Sequence, residues 1–417
     1  MKISTLKILT IFLILLFLAG CENKPDSNAA TPAITPEVTD AAETSAPQPT
    51  TAPTPAVTET PAPTQTPTPI PTAKPTAPVT NETKAEEMLK DMSLEEKVGQ
   101  LFFVRCIREQ ALSDIDKYFL GGYILFGDDF KDQTKKDIKT TIAGYQNKTK
   151  IPMLIGADEE GGTVNRVSKY PVFRAVPFKS PQELYKEGGF DLIKSDTIEK
   201  ADLLLSLGIN VNLAPVCDVS TDQKDFIYQR AFGKDAKQTS EYITTVIKAM
   251  NSRGIGSTLK HFPGYGNNVD THTGIAMDER SYETFENSDF LPFKAGIRAG
   301  AGSILVSHNI VKSMDKDYPA SLSPKVHSIL REELGFTGVI MTDDLSMDAI
   351  KEYTNDEEAA VQAILAGNDL VVATDYNVQI PAVLAAVKDG KITEDRINES
   401  VIRVLTWKLN LGIIQFN

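Results

Sequence analysis

The sequence predicts an α/β chain whose folded part is a single (β/α)8 barrel of the TIM type, and three observations predict it. Eight short apolar runs bounded by Gly, Pro or polar breakers recur after residue 100. Stretches of amphipathic, helical period separate most of them. Polar residues stand at the ends of six runs: Asp158, Asp218, Lys260, His308, Asp343 and Asp375. A parallel barrel gathers such ends at one mouth. The rival architecture, an open doubly wound sheet, would show GxGxxG after a strand, and no strand is followed by one.

In chain order, Glu86–Asp91 reads as a helix, and Ser93-Leu94-Glu95-Glu96 opens a second one with a capping box. The predicted strands are Leu101–Val104, Tyr123–Phe126, Met153–Ala157, Val211–Val219, Ile255–Leu259, Ser303–Val306, Val339–Met341 and Leu370–Ala373. Predicted helices between them include Asp132–Asn147, Asp196–Leu207, Lys237–Ser252, Tyr282–Ala299, Pro324–Glu333 and Ala349–Ala366, with Glu394–Leu411 closing the pattern. The barrel therefore occupies residues 83–417.

The segment before the barrel is of another kind. Lys2 and Lys7 give a positive start, Ile8–Leu18 is apolar but short for a membrane span, and Leu18-Ala19-Gly20-Cys21 comes next. This looks like a bacterial lipoprotein signal over residues 1–20, with Cys21 the lipidated residue. The expectation is a protein anchored in the membrane through Cys21, on the extracellular face of the cytoplasmic membrane. Residues 21–82 hold Pro, Thr, Ala and Glu with few large apolar side chains. Fourteen of the chain's 24 prolines fall between Pro25 and Pro78, so this stretch cannot build a core and reads as a disordered tether.

A net charge of −13 argues against a nucleic-acid partner, which would want a basic face. Three cysteines make no disulfide framework; Cys106 and Cys217 lie in apolar runs and read as buried thiols.

The residues that bear chemistry concentrate in Lys260-His261-Phe262-Pro263-Gly264-Tyr265-Gly266-Asn267-Asn268-Val269-Asp270-Thr271-His272, which holds two of the chain's four histidines. A strand end breaks here into a loop of Pro, Gly and Asn. Asp270 stands two residues before His272, within reach of its imidazole. Asp158-Glu159-Glu160-Gly161-Gly162 combines carboxylates with a backbone free to approach a ligand; solvated turn acids are the plain alternative. Arg230 offers a forked donor for carboxylate or hydroxyls, or an ordinary ion pair. Asp343, at the tip of an apolar strand, sits where a nucleophile would face the mouth, with Asp344 and Ser346 free to cap the next helix.

Lys260-His261-Phe262-Pro263-Gly264 through Asp270-Thr271-His272, with Asp158…Gly161-Gly162…Arg166, Arg230-Ala231-Phe232-Gly233 and Thr342-Asp343-Asp344-Leu345-Ser346-Met347, resemble glycoside hydrolase family 3. Within it they look most like the β-N-acetylglucosaminidase branch, NagZ, over about Ser93 to Ile414. The resemblance implies a TIM barrel, a carbohydrate substrate and a retaining two-step mechanism needing no metal or cofactor. It implies Asp343 as nucleophile and His272, oriented by Asp270, as acid/base. It also implies Asp158, Arg166, Arg230, Lys260 and His261 as holders of the sugar. An imidazole suits the acid/base task because its pKa lies near working pH.

Two departures stand out: Tyr265 replaces the family's usual His, and the run from Lys260 to His272 is one residue shorter. Six residues come after Leu411, so no second domain is expected to complete the site. The expected activity is release of terminal β-linked GlcNAc from peptidoglycan fragments or related glycans, with water or phosphate as acceptor. Rival readings are a family 3 β-glucosidase or β-xylosidase, a substrate-assisted hexosaminidase using Asp158-Glu159, and a zinc hydrolase using His261, His272, His308 and Asp343. Another is a lipid-anchored sugar-binding protein without turnover.

Overall fold

A computed structural model describes residues 80–271 and 274–415. The signal, Cys21 and nearly all of the tether lie outside the described residues, as does His272. Eight strands form the barrel: β1 Phe102–Arg105, β2 Gly122–Leu125, β3 Leu154–Ala157, β4 Val211–Asn212, β5 Gly256–Phe262, β6 Ser303–Val306, β7 Val339–Thr342 and β8 Val371–Ala373. Their ladders run parallel in the order β7-β6-β5-β4-β3-β2-β1-β8. A parallel bridge between Met341 and Leu370 brings the two ends together.

The period of two along each strand divides its side chains between two cores. Phe103, Ile124, Leu154, Leu305, Met341 and Val372 turn into the barrel. Their neighbours Phe102, Tyr123, Ile155, Ile304, Ile340 and Val371 join the layer between sheet and helices. Val404 and Trp407, from the helix Glu394–Asn410, belong to the inner cluster. A Cβ at Gly302, just before β6, would stand 2.3 Å from the Trp407 indole nitrogen, so only glycine admits that ring there.

All eight expected strands form; Ser303–Val306 keeps its expected bounds and the other seven shift. The fourth ladder stops at Asn212 instead of running to Val219, since Pro215 has no N–H to donate; beyond it Val216 bridges Lys260. Thr80 caps the first helix at Asn81–Leu89, so it opens before the expected start. The helix expected from Asp196 extends back to Pro181, interrupted at Gly188 and Gly189. Tyr376–Lys388 is a helix that the pattern did not suggest, because Pro381 stands inside it. Ser93 and Glu96 form the expected capping box.

Cys106 and Cys217 are both buried and unpaired, and burial pushes the Cys106 thiol up to about 12. Lys408 is fully buried, donating to the Gln100 side-chain oxygen at 2.7 Å, and burial pushes its pKa down to about 7. An unfolded lysine holds its proton to about pH 10.4. Between these values the unfolded chain binds more protons, so this lysine's destabilising effect is greatest below pH 7 and is relieved as pH rises. Lys408→Met should therefore gain on wild type by about 1–2 kcal/mol more at pH 6.5 than at pH 8.5. Urea titrations at both values check this, and an equal difference would refute it.

Candidate active site

The loop after β3 supplies three consecutive carboxylates, and the fold gives each a separate task. Glu159–Gly161 pairs antiparallel with Val164–Asn165 in a short irregular ribbon. Glu159 is fully buried and accepts from the amides of Arg166, Val167 and Ser168 at 2.9, 2.7 and 3.1 Å, and from the Ser168 hydroxyl. It builds the loop. Gly161 adopts φ 101°, and a Cβ there would lie 2.2 Å from the Lys179 carbonyl oxygen.

Asp158 and Glu160 converge on the end of β5. The Lys260 ammonium lies 2.7 Å from Asp158 and 2.6 Å from Glu160. Arg230 meets Glu160 with two nitrogens, at 2.8 and 3.1 Å. Arg166 approaches Asp158 at 3.7 Å with its guanidinium over the Phe126 ring, and its Nε has no hydrogen-bond partner among the described residues. Burial alone would raise the Glu160 pKa, but the charges of Lys260 and Arg230 hold it well below the usual carboxylate range. Burial works against the Lys260 charge, and Asp158 and Glu160 more than offset it, so its pKa is raised.

His261 is held at both ring nitrogens: Nδ1 lies 2.8 Å from Asp218 and Nε2 lies 3.1 Å from Arg230. A guanidinium can only donate, so Nε2 accepts and the ring proton sits on Nδ1, donated to Asp218. Asp218 also accepts from the His261 amide at 3.2 Å and the Tyr265 amide at 2.7 Å. It thereby ties the strand end to the adjoining loop. Arg280, paired with Asp278 and Asp289, donates to the Gly264 carbonyl at 2.7 Å and holds the same loop from beneath. The peptide bonds Lys260–His261 and Phe262–Pro263 are cis.

Asp343 comes directly after β7. Its amide donates to the Val306 carbonyl at 2.9 Å, and a carboxylate oxygen accepts from the Asp344 amide at 2.9 Å. Asp344 serves structure: it accepts from the Ser346 amide and the Thr374 hydroxyl. Fully buried His308 donates from Nε2 to the Asp344 carbonyl at 3.0 Å, so its Nδ1 accepts from Ser321 at 2.7 Å. Asp375 lies at the mouth's edge, 3.7 Å from Lys351. Asp270 and Thr271 lie in the loop after β5.

The structure thus joins Asp158, Arg166, Arg230, Lys260 and His261 in one contiguous cluster and sets Asp343 at the same end of the barrel. Sequence reasoning did not assign Glu160, which balances Lys260 and Arg230, nor Asp218, which orients His261. Asp218's place at a strand exit was the one available signal. Glu159 has its carboxylate consumed by backbone amides, which removes the substrate-assisted pair. Both nitrogens of His261 and of His308 are engaged, which leaves neither ring a lone pair for zinc.

A nearly closed parallel barrel with a buried carboxylate–cation cluster and an aspartate at its C-terminal mouth defines an α/β-barrel protein with a charged site at that mouth. Residues 93–407 match the glycosyl hydrolase family 3 N-terminal domain, and the chain belongs to that family. It is 29% identical over 328 residues to beta-hexosaminidase A of Pseudoalteromonas piscicida, covering 71% of this chain and 54% of that one. It is 32% identical over 258 residues to a beta-hexosaminidase of Nitrosomonas eutropha, covering 61% and 73%. A family 3 beta-N-acetylglucosaminidase structure from Paenibacillus sp. str. FPU-7 superposes with TM-score 0.73 at 28% identity, covering 78% of this chain and 65% of that one. The chain thus spans about half the length of the Pseudoalteromonas relative.

Proposed function

We propose that the chain is a retaining exo-β-N-acetylglucosaminidase that removes terminal β-linked GlcNAc from peptidoglycan fragments or related glycans, anchored outside the cytoplasmic membrane through Cys21. The observation that supports it most is the placing of Asp343 at the same mouth as the Asp158–Lys260–Glu160–Arg230 cluster. The cluster offers donors and acceptors for sugar hydroxyls and the acetamido group, while Asp343 supplies the nucleophile.

In the first step a carboxylate oxygen of Asp343 attacks the anomeric carbon. The glycosidic bond breaks, and its oxygen leaves with a proton from His272. In the second, His272 takes a proton from water, the hydroxyl oxygen bonds to the anomeric carbon, and the ester to Asp343 breaks. Two inversions give net retention. Asp270 would fix the imidazole's tautomer.

The test is release of nitrophenol from the 4-nitrophenyl β-glycosides of GlcNAc and of glucose. We expect kcat/KM for the GlcNAc compound to exceed that for the glucoside by about 100-fold or more, the discrimination expected when buried polar groups are matched to one substituent. Faster turnover of the glucoside would assign a β-glucosidase. Turnover of neither, with retained binding of chitobiose, would assign a sugar-binding protein.

A further inference from the structure

Arg105, the last residue of β1, has no share in the Lys260 cluster, yet the pleat brings it to the same mouth. Phe103 turns into the barrel, and Arg105 follows two residues on, so it faces inward. Counting in twos from inward-facing Leu154 and Met341 likewise reaches Asp158 and Asp343. Phe126, two residues past inward-facing Ile124, packs on the inner core. The Arg105 guanidinium lies 4.4 Å from the centre of that ring, and the Arg166 guanidinium lies 5.5 Å from it. Both arginines are half-buried. Their charges are not met as those of the other cations are. Lys260 and Arg230 hold Glu160 at 2.6 and 2.8 Å, whereas Arg166 stands 3.7 Å from Asp158 with its Nε unpartnered among the described residues. Among those residues Arg105 has neither an ion pair nor a side-chain hydrogen bond, and the Phe126 ring is what it touches. Asp129, whose carboxyl feels the Arg105 charge, accepts from the Phe126 amide at 2.7 Å.

We propose that Arg105 and Arg166, sharing the Phe126 ring, form a subsite for a carboxylate carried on the bound sugar, so that the mouth selects acidic sugars. This inference rests on the reading of the mouth as a sugar site and extends its substrate class to sugars that bear a carboxylate. A half-buried guanidinium loses part of its hydration. With no protein carboxylate beside it, Arg105 gains most from a ligand that brings the opposite charge. Its planar fork matches two carboxylate oxygens, and the aromatic ring beneath it fixes the fork's orientation. A hydroxyl would engage one donor and leave the charge uncompensated. The negative charges of Asp158 and Asp343 repel an acid group, which leaves it the β1–β2 side of the mouth, where Arg105 stands. A charge-assisted contact of this kind is worth about 10–100-fold in affinity.

Calorimetric titration of the whole protein tests this with two pairs of sugars. N-acetylmuramic acid against GlcNAc places the carboxylate on the O3 arm, and glucuronic acid against glucose places it at C6. We expect at least one acid to bind about tenfold or more tighter than its neutral partner, and the pair that does so locates the carboxylate. Arg105→Met keeps an unbranched side chain over Phe126 and removes the charge, so it should cut that preference by about tenfold. Arg105→Lys keeps the charge without the fork and should fall between the two. Equal or weaker binding of both acids by wild type, or a preference that survives Arg105→Met, would overturn the proposal. Should thermal melts show Arg105→Met unfolded, Arg105→Lys decides, and an undiminished preference there overturns the proposal. Turnover of 4-nitrophenyl β-GlcNAc, measured beside it, tests the glycosidase reading separately. Preference for an acid without turnover would keep the subsite and remove the glycosidase, and turnover without preference would do the reverse.

Discussion

Replacing Asp343 by Asn should lower kcat on 4-nitrophenyl β-GlcNAc by roughly 10³–10⁵-fold while leaving sugar binding within a few fold, as expected for loss of a covalent nucleophile. The amide has nearly the shape of the carboxylate, and its oxygen can still accept from the Asp344 amide, now at 2.9 Å. The backbone is held independently, by the Asp343 amide on Val306 and by His308 on the Asp344 carbonyl. A folding defect is therefore not expected, and the melting temperature should stay close to that of wild type. The decisive control is Asp343→Gly with azide. A small anion entering the vacated space would attack the β-glycoside from the opposite face and give the α-glycosyl azide, identifiable by its NMR coupling. Retention of more than a tenth of wild-type activity by Asp343→Asn would remove this residue from the chemistry.

Glu160→Gln should have the largest effect on stability and a large one on activity. The Glu160 carboxylate is buried and touches both Lys260 and Arg230, so the neutral amide leaves two buried cations sharing the charge of Asp158. Breaking a buried pair in this way costs about 3–5 kcal/mol. The displaced Lys260 and Arg230 should also lower kcat/KM by on the order of 100-fold. The pH dependence has a definite sign. The folded pKa of Glu160 lies below its ordinary value of 4.5, so its contribution is complete above that value and is lost as pH falls beneath it. Urea titrations of wild type should show this acid loss, and Glu160→Gln should show less of it. An unchanged midpoint and unchanged kcat/KM would mean that Asp158 alone suffices to hold Lys260.

These two residues also show how unevenly the site could be read. Asp343 was legible because it ends an apolar run, and the barrel geometry assigns that position to the mouth. Glu160 was not, because Asp158, Glu159 and Glu160 are chemically alike and adjacent. Only the irregular ribbon Glu159–Gly161 decides that one carboxylate faces Lys260, the next turns into three backbone amides, and the third reaches Arg230. Arg230 was marked as a holder of substrate, yet its partners in the structure are Glu160 and His261.

The sequence by itself determined the eight strands, most helices between them, the family and the end of the barrel where chemistry would lie. The family was legible only through the resemblance of several motifs; the strands, the helices and the end of the barrel arise from local periodicity and from residue types at strand ends, which need no knowledge of distant contacts. Tertiary structure alone decided the charge balance of the cluster, the tautomers of His261 and His308, and the meeting of Arg105 and Arg166 at the Phe126 ring. Each of these depends on groups far apart in sequence meeting within hydrogen-bond distance, as Lys260 and Asp158 do across 102 positions. The direction of a side chain at such a meeting is set by packing, which local sequence does not encode.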